Sequence, residues 1–473
     1  MNCKSRLTLA LLVAHLSTGT AFAQPETGET PATGNAASNA VTSGSLAERH
    51  DGIGRTLEDF FLASLDYSPR LQIAAERMNI GEAQREAVNG QLLPQVNANA
   101  SISGNRQQQA IGTNEYHGQR MSLQIQQILF DWGTFKRRSQ AYHQENQYEA
   151  EYYAELAALL AEVSILYLDV LQAQDALNSS QSELDAVSTQ LQQIERMHDM
   201  QLVQITDLYE AQARKSAVEA EQVLLQSELT LAKEALRAAS GLALGDLYTL
   251  GDEAELPPID GTLEEWIQRA HENNHVIQSR RLAVNMADDR ISEQRGRYMP
   301  QVSLVLQQQR SDLGFDNTGI DRTDTGYVGL NVSVPLFAGG SNRAAVKEAV
   351  SQHSIAQHEL RQTNLDVEDQ TRNAYLRLQA AERQVVAAES LLESRRISTQ
   401  ARQRGFELGT VTSVDVLDAV RDEFIAERDL QQVRYDYLRL SLQLQRDAGT
   451  LDAEDLVDIS ERLEDPDLTQ QSG

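Results

Sequence analysis

Cysteine is almost missing from this chain of 473 residues, which has a single one at position 3. One cysteine cannot form a disulfide within the chain or supply a cysteine-rich zinc site. Aromatic residues are also scarce, at 5 %, and the chain is instead rich in Ala, Gln, Glu and Leu. This composition favours long helices.

Basic residues are too few to balance the acidic ones. The 41 Lys and Arg stand against 69 Asp and Glu, which gives a formal net charge of −28. A chain this acidic repels phosphate, so nucleic acid is not expected as a partner. The length alone leaves room for two or three domains.

Long hydrophobic runs are missing as well. No stretch beyond the N-terminus approaches the ~20 apolar residues that a membrane-spanning helix needs. The apolar run Leu7–Leu16 is shorter, follows two basic residues, and is itself followed by Ala21-Phe22-Ala23. This order is typical of a secretory signal peptide and predicts that residues 1–23 are removed. Residues 24–55, with many Gly, Ser, Thr and Ala, are predicted to be a flexible linker.

The chain repeats itself once, with an offset of about 206 to 208 residues. Landmarks of different chemistry stay in step in the two copies: Gly90 with Gly296, Pro94-Gln95-Val96 with Pro300-Gln301-Val302, Asp207 with Asp415, and Gly241 with Gly449. This pattern predicts a tandem duplication, with structural repeats at 56–256 and 262–450. Residues 451–473 are acidic and have a weak apolar pattern, which predicts a loosely held C-terminal tail.

Each repeat is predicted to run helix, strand, strand, long helix, helix. The first helix spans about 56–89 in one repeat and 262–296 in the other, and each is followed by a proline. The strands are predicted at 96–103, 121–126, 302–307 and 328–335. Apolar residues alternate there with Asn, Ser and Gln, which places apolar side chains on one face and polar ones on the other.

The alternating strands are open to two interpretations. One is a half-buried sheet on a soluble core, and the other is a wall between lipid and a water-filled lumen. Aromatic residues collect where the strands meet the helices: Phe130, Trp132, Phe135 and Phe337. Such residues are enriched at membrane interfaces, and an amide-rich face suits a wet lumen, so the membrane interpretation is favoured. The connections 104–118 and 312–326 are polar and are predicted to be exposed loops.

Heptad spacing runs along the long helices. After Gly133 a helical pattern continues to about residue 199, which at ~1.5 Å per residue is on the order of 100 Å. Two stripes recur every seven residues: Leu156, Val163, Val170, Leu177, Leu184 and Leu191, and Leu159, Leu166, Ala173, Ser180, Val187 and Ile194. Sustained stripes indicate coiled-coil packing, and further stripes on the other helices suggest two neighbours for each, as in a closed ring. Heptads alone favour an ordinary helical bundle or a fibrous scaffold.

Four strands are too few to close a barrel, since small barrels need ~8 or more. Open strand edges in lipid would leave backbone donors and acceptors unsatisfied. The strands are therefore predicted to be shared between subunits, with three chains giving twelve. The predicted fold class is an α+β membrane protein, in which a trimeric twelve-stranded β-barrel with four strands per chain continues into a long α-helical coiled-coil barrel.

Several segments resemble the TolC family of outer-membrane export channels, and together they cover Thr56 to Gly449. Leu93-Pro94-Gln95-Val96 and Met299-Pro300-Gln301-Val302 are similar to the helix-to-strand entries of that family. The run from Val328 to Gly340 resembles its strand-to-helix exit, and residues 405–419 resemble its periplasmic tip, with 202–208 as the counterpart in the first repeat.

The resemblance implies a homotrimer in the outer membrane with a long periplasmic extension. It also implies docking onto a periplasmic adaptor and an inner-membrane pump, either an ABC or a proton-driven one, in efflux or type I secretion. In the family, two acidic residues of the tip narrow the lumen, and they correspond here to Asp415 and Asp418. Their i, i+3 spacing puts both on one helix face, and threefold symmetry would gather six carboxylates that attract cations. The alternative is a solvated acidic face.

The closed state of the family also uses polar links between neighbouring coils at the tip. The carboxylate of these links corresponds to Asp207, but the tyrosine is Phe406 here and the arginine is Val411. This departure predicts either that packing holds the tip closed or that the tip opens more readily. The residues predicted to face the adaptor are Leu202, Val203, Gln204, Leu408, Gly409 and Thr410.

One catalytic pattern is present by sequence alone. His271-Glu272-Asn273-Asn274-His275 matches the zinc-binding pattern H-E-x-x-H, but Gln278 and Arg281 stand where a metzincin has Gly and a third His ligand. The sequence has no nucleotide-binding motif, so energy would come from a partner. The chain is predicted to be a passive export duct, not an enzyme, and without a cofactor. The alternatives are a secreted coiled-coil scaffold without a pore and, more distantly, a zinc peptidase.

Overall fold

The computed structural model describes residues 53–109, 112–251, 254, 256–312, 322–460 and 462–464. The predicted signal peptide, the linker up to residue 52, and residues 465–473 of the predicted tail lie outside the described residues. None of the described helices has an apolar stretch long enough to cross a membrane.

Long helices and long strands alternate along the chain. The helices are α1 (Leu57–Tyr67), α2 (Pro69–Gln91), α3 (Trp132–Asp199), α4 (Ile205–Ser240), α5 (Leu263–Asn273), α6 (His275–Gly296), α7 (Ser341–Glu407), α8 (Ser413–Ala448) and α9 (Ala453–Ser460). The strands are β1 (Ile53–Gly54), β2 (Gln95–Gln109), β3 (Gly112–Phe130), β4 (Ala243–Leu244), β5 (Thr249–Leu250), β6 (Gln301–Asp312), β7 (Thr323–Ser333) and β8 (Leu463–Glu464). The longest helices, α3 and α7, have 68 and 67 residues.

The first helix predicted for each repeat is in fact two helices. The prediction of continuous helices at 56–89 and 262–296 was therefore wrong. Ser68 is extended between α1 and α2, and Pro69 follows at the start of α2. Proline disfavours a helical residue before it and suits the first helical position. Asn274 makes the break between α5 and α6, where its side-chain oxygen accepts hydrogen bonds from the backbone N–H groups of Val276 and Ile277 at 2.9 and 3.2 Å.

Four strands form one antiparallel sheet in the order β2-β3-β6-β7. The pair β3–β6 joins the two halves of the chain, and β2 and β7 are the edges. The register sets Val96 opposite Ile125 and Leu306 opposite Val328, so the alternating apolar residues share one face. The other face carries the amides and hydroxyls.

The strands extend further than the apolar alternation indicated. The predicted loop at 104–118 is mostly paired strand, since β2 and β3 stay in register until Gln109 lies opposite Gly112. Backbone pairing needs no apolar side chains, so polar residues continue the ladder once it has begun. In the second predicted loop, residues 323–326 belong to β7, and residues 313–321 lie outside the described part of the chain.

The predicted seam of α3 is largely buried. Val163, Val170, Val187 and Ile194 are almost fully buried within the chain. Val163 and Val170, near the middle of α3, join a core cluster that includes Tyr167 and Leu442 of α8. Val187 and Ile194 belong to a second cluster, with Ala211 of α4 and Leu417 of α8. The packing of α3 against both α4 and α8 agrees with the expectation of two neighbours per helix.

The described part of the predicted tail is packed instead of loosely held. Residues 453–460 form α9, and β8 pairs with β5 in an antiparallel bridge. Leu451 and Leu463 are both buried in the core cluster around Tyr167. Removing these two leucines from water holds the acidic segment against the molecule.

Candidate functional site at the helical tip

Two helical hairpins turn at the tip, and their turns have the same backbone geometry. The turn from α3 to α4 is closed by Leu202 N–H donating to Met197 O at 2.8 Å, and the turn from α7 to α8 by Thr410 N–H donating to Gly405 O at 2.8 Å. The left-handed residue is Gln201 in the first turn (φ 61°) and Gly409 in the second (φ 72°). Both are helix C-terminal motifs of the Schellman kind.

The residues predicted to face an adaptor differ in exposure. Leu408 is 79 % exposed and Leu202 is 66 % exposed, so both apolar side chains project from the ends of the hairpins. Gln204, Gly409 and Thr410 are exposed as well. Val203 is different, because it is half-buried and packs against the cluster of Val187, Leu191, Ile194, Ala211 and Leu417. The tip surface of this chain is therefore formed mainly by the other five positions.

Phe406 and Val411 belong to an apolar cluster at the tip. Phe406 is only 8 % exposed and packs with Val416 and Val420 of α8. Met197 of α3 joins the same cluster, so the ring lies between the two hairpins of one chain. A buried ring without a hydroxyl leaves no polar group unsatisfied there.

Asp207 lies at the start of α4 and is half-buried. Its backbone N–H donates to Gln204 O at 3.1 Å, and its carboxylate accepts from the Thr206 hydroxyl at 3.4 Å. Among the described residues, none of α7 or α8 forms a hydrogen bond or an ion pair with Asp207. Within the described residues of one chain, no polar contact thus links Asp207 to the hairpin that carries Phe406 and Val411.

Asp415 caps the N-terminus of α8. Its carboxylate accepts from the Thr412 hydroxyl at 2.6 Å and from the Thr412 N–H at 3.2 Å, while Asp415 N–H donates to the Thr412 hydroxyl at 3.2 Å. This reciprocal arrangement is a capping box. The hydrogen bond from the Thr412 hydroxyl lowers the pKa of the Asp415 carboxyl. Asp418 follows one turn later and is exposed, as is Asp415.

A buried ion cluster that was not predicted lies in the tip half, which is the part of α3, α4, α7 and α8 towards the two hairpin turns. Glu183 of α3 is 2 % exposed and accepts a hydrogen bond from Arg428 of α8 at 2.8 Å. Arg214 of α4 lies 3.9 Å from the same carboxylate, and Arg428 reaches Glu221 of α4 at 3.5 Å. Burial lowers the pKa of the Arg214 guanidinium, with nearby Arg421 acting in the same direction. Glu183 precedes the seam residue Leu184, and charged residues beside a seam commonly form interhelical pairs, so the heptad offered a signal for it.

The predicted interface aromatics lie where the sheet meets the helices. Phe130 and Phe135 pack edge to face with ring centroids 6.2 Å apart. The ammonium of Lys136 lies 5.7 Å from the Trp132 ring centroid. Phe337 follows β7 and is 88 % exposed within the single chain.

The H-E-x-x-H segment straddles the break between α5 and α6, so the two histidines are not on one continuous helix. His275 stacks on Tyr153 with ring centroids 5.5 Å apart, and its Nδ1 lies 3.3 Å from Gln278 Oε1. Within the described residues, no group of three or more His, Asp or Glu could hold a metal ion.

Comparison with known proteins gives consistent results. A family model described as outer membrane efflux protein matches residues 63–242 and 266–450. The outer membrane protein TolC of Vibrio cholerae is 30% identical over 407 residues, covering 83% of this chain and 90% of that protein. The alkaline protease secretion protein AprF of Pseudomonas aeruginosa is 26% identical over 422 residues, covering 87% and 88%. The solved structure of the outer membrane protein VceC from Vibrio cholerae is 18% identical and has a TM-score of 0.70, covering 83% of this chain and 96% of that one, and it shows the same fold.

Proposed function

Because the chain belongs to the outer membrane efflux protein family, we propose that it is the passive, trimeric outer-membrane duct of an export system. The family consists of outer-membrane channel proteins and not of enzymes. In the proposed assembly, cargo enters through the helical tip and leaves through the sheet. A periplasmic adaptor and an inner-membrane pump, of the ABC or the proton-driven class, supply contact and energy for efflux or type I secretion.

The main observation in support of the proposed trimer is that the sheet has two open edges. β2 and β7 each leave one side of their backbone unpaired by this chain. The face with Val96, Leu123 and Val328 is exposed and apolar, as a lipid-facing wall requires. β7 runs antiparallel to a following β2, so β7 of one copy can pair with β2 of the next, and three copies close twelve strands.

The helices support the same arrangement. α7 exposes apolar residues at intervals of 10 or 11, which is about three helical turns and therefore one face: Leu365, Leu376, Val386 and Ile397. α4, at the opposite edge of the tip half, exposes Val223, Leu224 and Leu231. Two unpaired apolar stripes at opposite edges of a subunit suit a head-to-tail ring.

The tip residues are proposed to act as the constriction and the docking surface. Asp415 and Asp418 are exposed in one chain, and a threefold ring would collect them near the axis. Phe406 and Val411 support closure by packing between the hairpins. Leu202 and Leu408 are the apolar contacts offered to an adaptor.

The experiment measures both the oligomeric state and the ion conduction of the purified protein. The purified mature protein should have three times the subunit mass in detergent and should form ion-conducting pores in planar bilayers. A secreted scaffold would do neither, and a protein that is monomeric and soluble without detergent would contradict the proposal. Gene deletion followed by secretome and drug-sensitivity profiles distinguishes protein secretion from efflux of small molecules.

A further inference from the structure

The polar face of the sheet carries almost no charge. The register aligns Asn97, Gln124 and Gln307 in one row, and Asn99, Ser122 and Gln309 in the next. Arg120, in the row of Ser101 and Ser311, is the only charged residue that this face carries in the described parts of β2, β3, β6 and β7. In the proposed trimer, this face lines the lumen.

Among the described residues of the strands, Arg120 has no acidic neighbour on its own face. The residues directly opposite are Ser101 on β2 and Ser311 on β6, whose side chains are short and uncharged. In the described part of the chain, no carboxylate forms an ion pair with Arg120. The Arg120 side chain is exposed.

The arginines on the apolar face of these strands are paired. Arg106 pairs across β2 and β3 with Glu115 at 3.1 Å, and Arg310 pairs across β6 and β7 with Asp324 at 2.8 Å. Each of these arginines has a carboxylate at the directly opposite register position. The sheet thus neutralises arginines on the outward face and leaves the charge of Arg120 uncompensated on the inward face.

We propose that Arg120 from three copies forms a ring of positive charge inside the barrel, which binds anionic groups as they pass. The inference rests on the proposed trimeric duct. A fixed guanidinium in a narrow lumen with low-dielectric walls attracts anions, and three related by symmetry act on the same point of the axis. The duct then has two opposite rings in series, carboxylates at the tip and guanidiniums near the exit, and its exit favours cargo with exposed carboxylate or phosphate groups.

The test uses inorganic pyrophosphate as a blocking anion on the extracellular side of pores in planar bilayers. The pores carry the Asp415→Ala and Asp418→Ala substitutions, so that the tip ring does not dominate selectivity. Arg120→Gln should weaken the block ~10-fold or more and shift the reversal potential in a KCl gradient towards cation preference. Arg310→Gln, a matched change on the outward face, should alter neither quantity.

Two further variants keep the outcome decisive. Arg120→Lys retains the charge and should retain the block. Ser311→Asp places a carboxylate opposite Arg120, as Asp324 lies opposite Arg310, and should weaken the block as much as Arg120→Gln does. Equal block in all conducting variants would overturn the charge ring, whereas a protein without any pore would contradict the proposed duct itself.

Discussion

Glu183 lies at the centre of the buried ion cluster between α3, α4 and α8. It is nearly inaccessible, yet it is charged, and it holds Arg428 of α8 while Arg214 of α4 lies close by. Glu183→Ala leaves two mostly buried guanidiniums without their shared carboxylate, and removal of one partner from a buried pair costs about 3 kcal/mol or more. We expect a clear fall in the thermal unfolding midpoint of the purified protein in detergent.

The control for that substitution is Glu221→Ala. Glu221 contacts the same Arg428, but its side chain is about half exposed. Exposed pairs contribute about 1 kcal/mol or less, so this variant should unfold close to the wild-type temperature. Equal effects of the two substitutions would show that burial of Glu183 is not the source of its importance.

Thr412 controls the protonation of Asp415. Because the Thr412 hydroxyl lowers the Asp415 pKa in the folded chain, the ionised cap stabilises α8 above the unfolded-state pKa. That stabilisation is lost as the pH falls through the lower, folded-state pKa. Thr412→Val removes the hydroxyl and should raise the Asp415 pKa, so that acid removes the charge at a higher pH.

The pH shift can be measured as cation preference in bilayers, in an Asp418→Asn background that leaves Asp415 as the titrating group of the proposed constriction. The preference should disappear at higher pH with Thr412→Val than without it. Thr410→Val is the matched control, because the Thr410 hydroxyl donates to Gly405 O and not to Asp415. A Thr412→Val titration that overlays the control would refute the link between the cap and the constriction.

At the scale of elements, α4, α7 and α8 each end beside a glycine in the left-handed conformation. α8 ends at Gly449 (φ 68°), and a Cβ there would lie 2.7 Å from the backbone of Asn274, which makes the break between α5 and α6. Gly409 has nearly the same φ (72°) but open surroundings. Both glycines favour this conformation, but only Gly449 also requires the missing Cβ.

Gly449→Ala should therefore destabilise the protein by about 3 kcal/mol, from backbone strain together with the clash. Gly409→Ala has the backbone strain alone and should cost about 1 kcal/mol. Denaturant unfolding, followed by the circular dichroism of the helices, measures both. A Gly449→Ala protein as stable as Gly409→Ala would contradict the close approach to Asn274.

The sequence predicted elements well where one periodicity extends over many residues. The long helix from Gly133 to about residue 199 is confirmed as α3, and several of its heptad residues, among them Val163, Val187 and Ile194, are buried. The breaks at Ser68 and Asn274 were missed because apolar spacing continues across them, while a single proline or an asparagine side chain decides the backbone. Likewise, the buried position of Phe406 depends on a cluster formed across two hairpins, which no local pattern reveals.

For the whole molecule, the proposed ring of tip aspartates predicts a change in ion selectivity. Asp415→Ala with Asp418→Ala should reduce cation preference in planar bilayers, because up to six carboxylates would leave the narrowest part of the lumen. Glu234→Gln serves as a control, since Arg237 already neutralises that exposed carboxylate at 2.6 Å. Unchanged selectivity in the double variant would move the constriction away from these residues.

The sequence predicted an assembly of several chains from the number of strands in each. Four strands with exposed apolar faces required a partner, and the order β2-β3-β6-β7 places both open edges at the outside of the chain. The number of copies follows from the family and from closure geometry, and it stays a prediction. The duplication stays a prediction too, although Leu202 and Thr410 close their turns with equivalent hydrogen bonds.

The two open edges have a genetic consequence. In the proposed head-to-tail trimer, every subunit forms one β2–β7 contact with each of its two neighbours, so a single faulty edge breaks the wall that all three share. A proline in the middle of β2, as in Asn99→Pro, removes a ladder donor there. Co-expressed in equal amount with the normal chain, such a variant would leave only about one ring in eight free of it, and it would behave as a dominant allele.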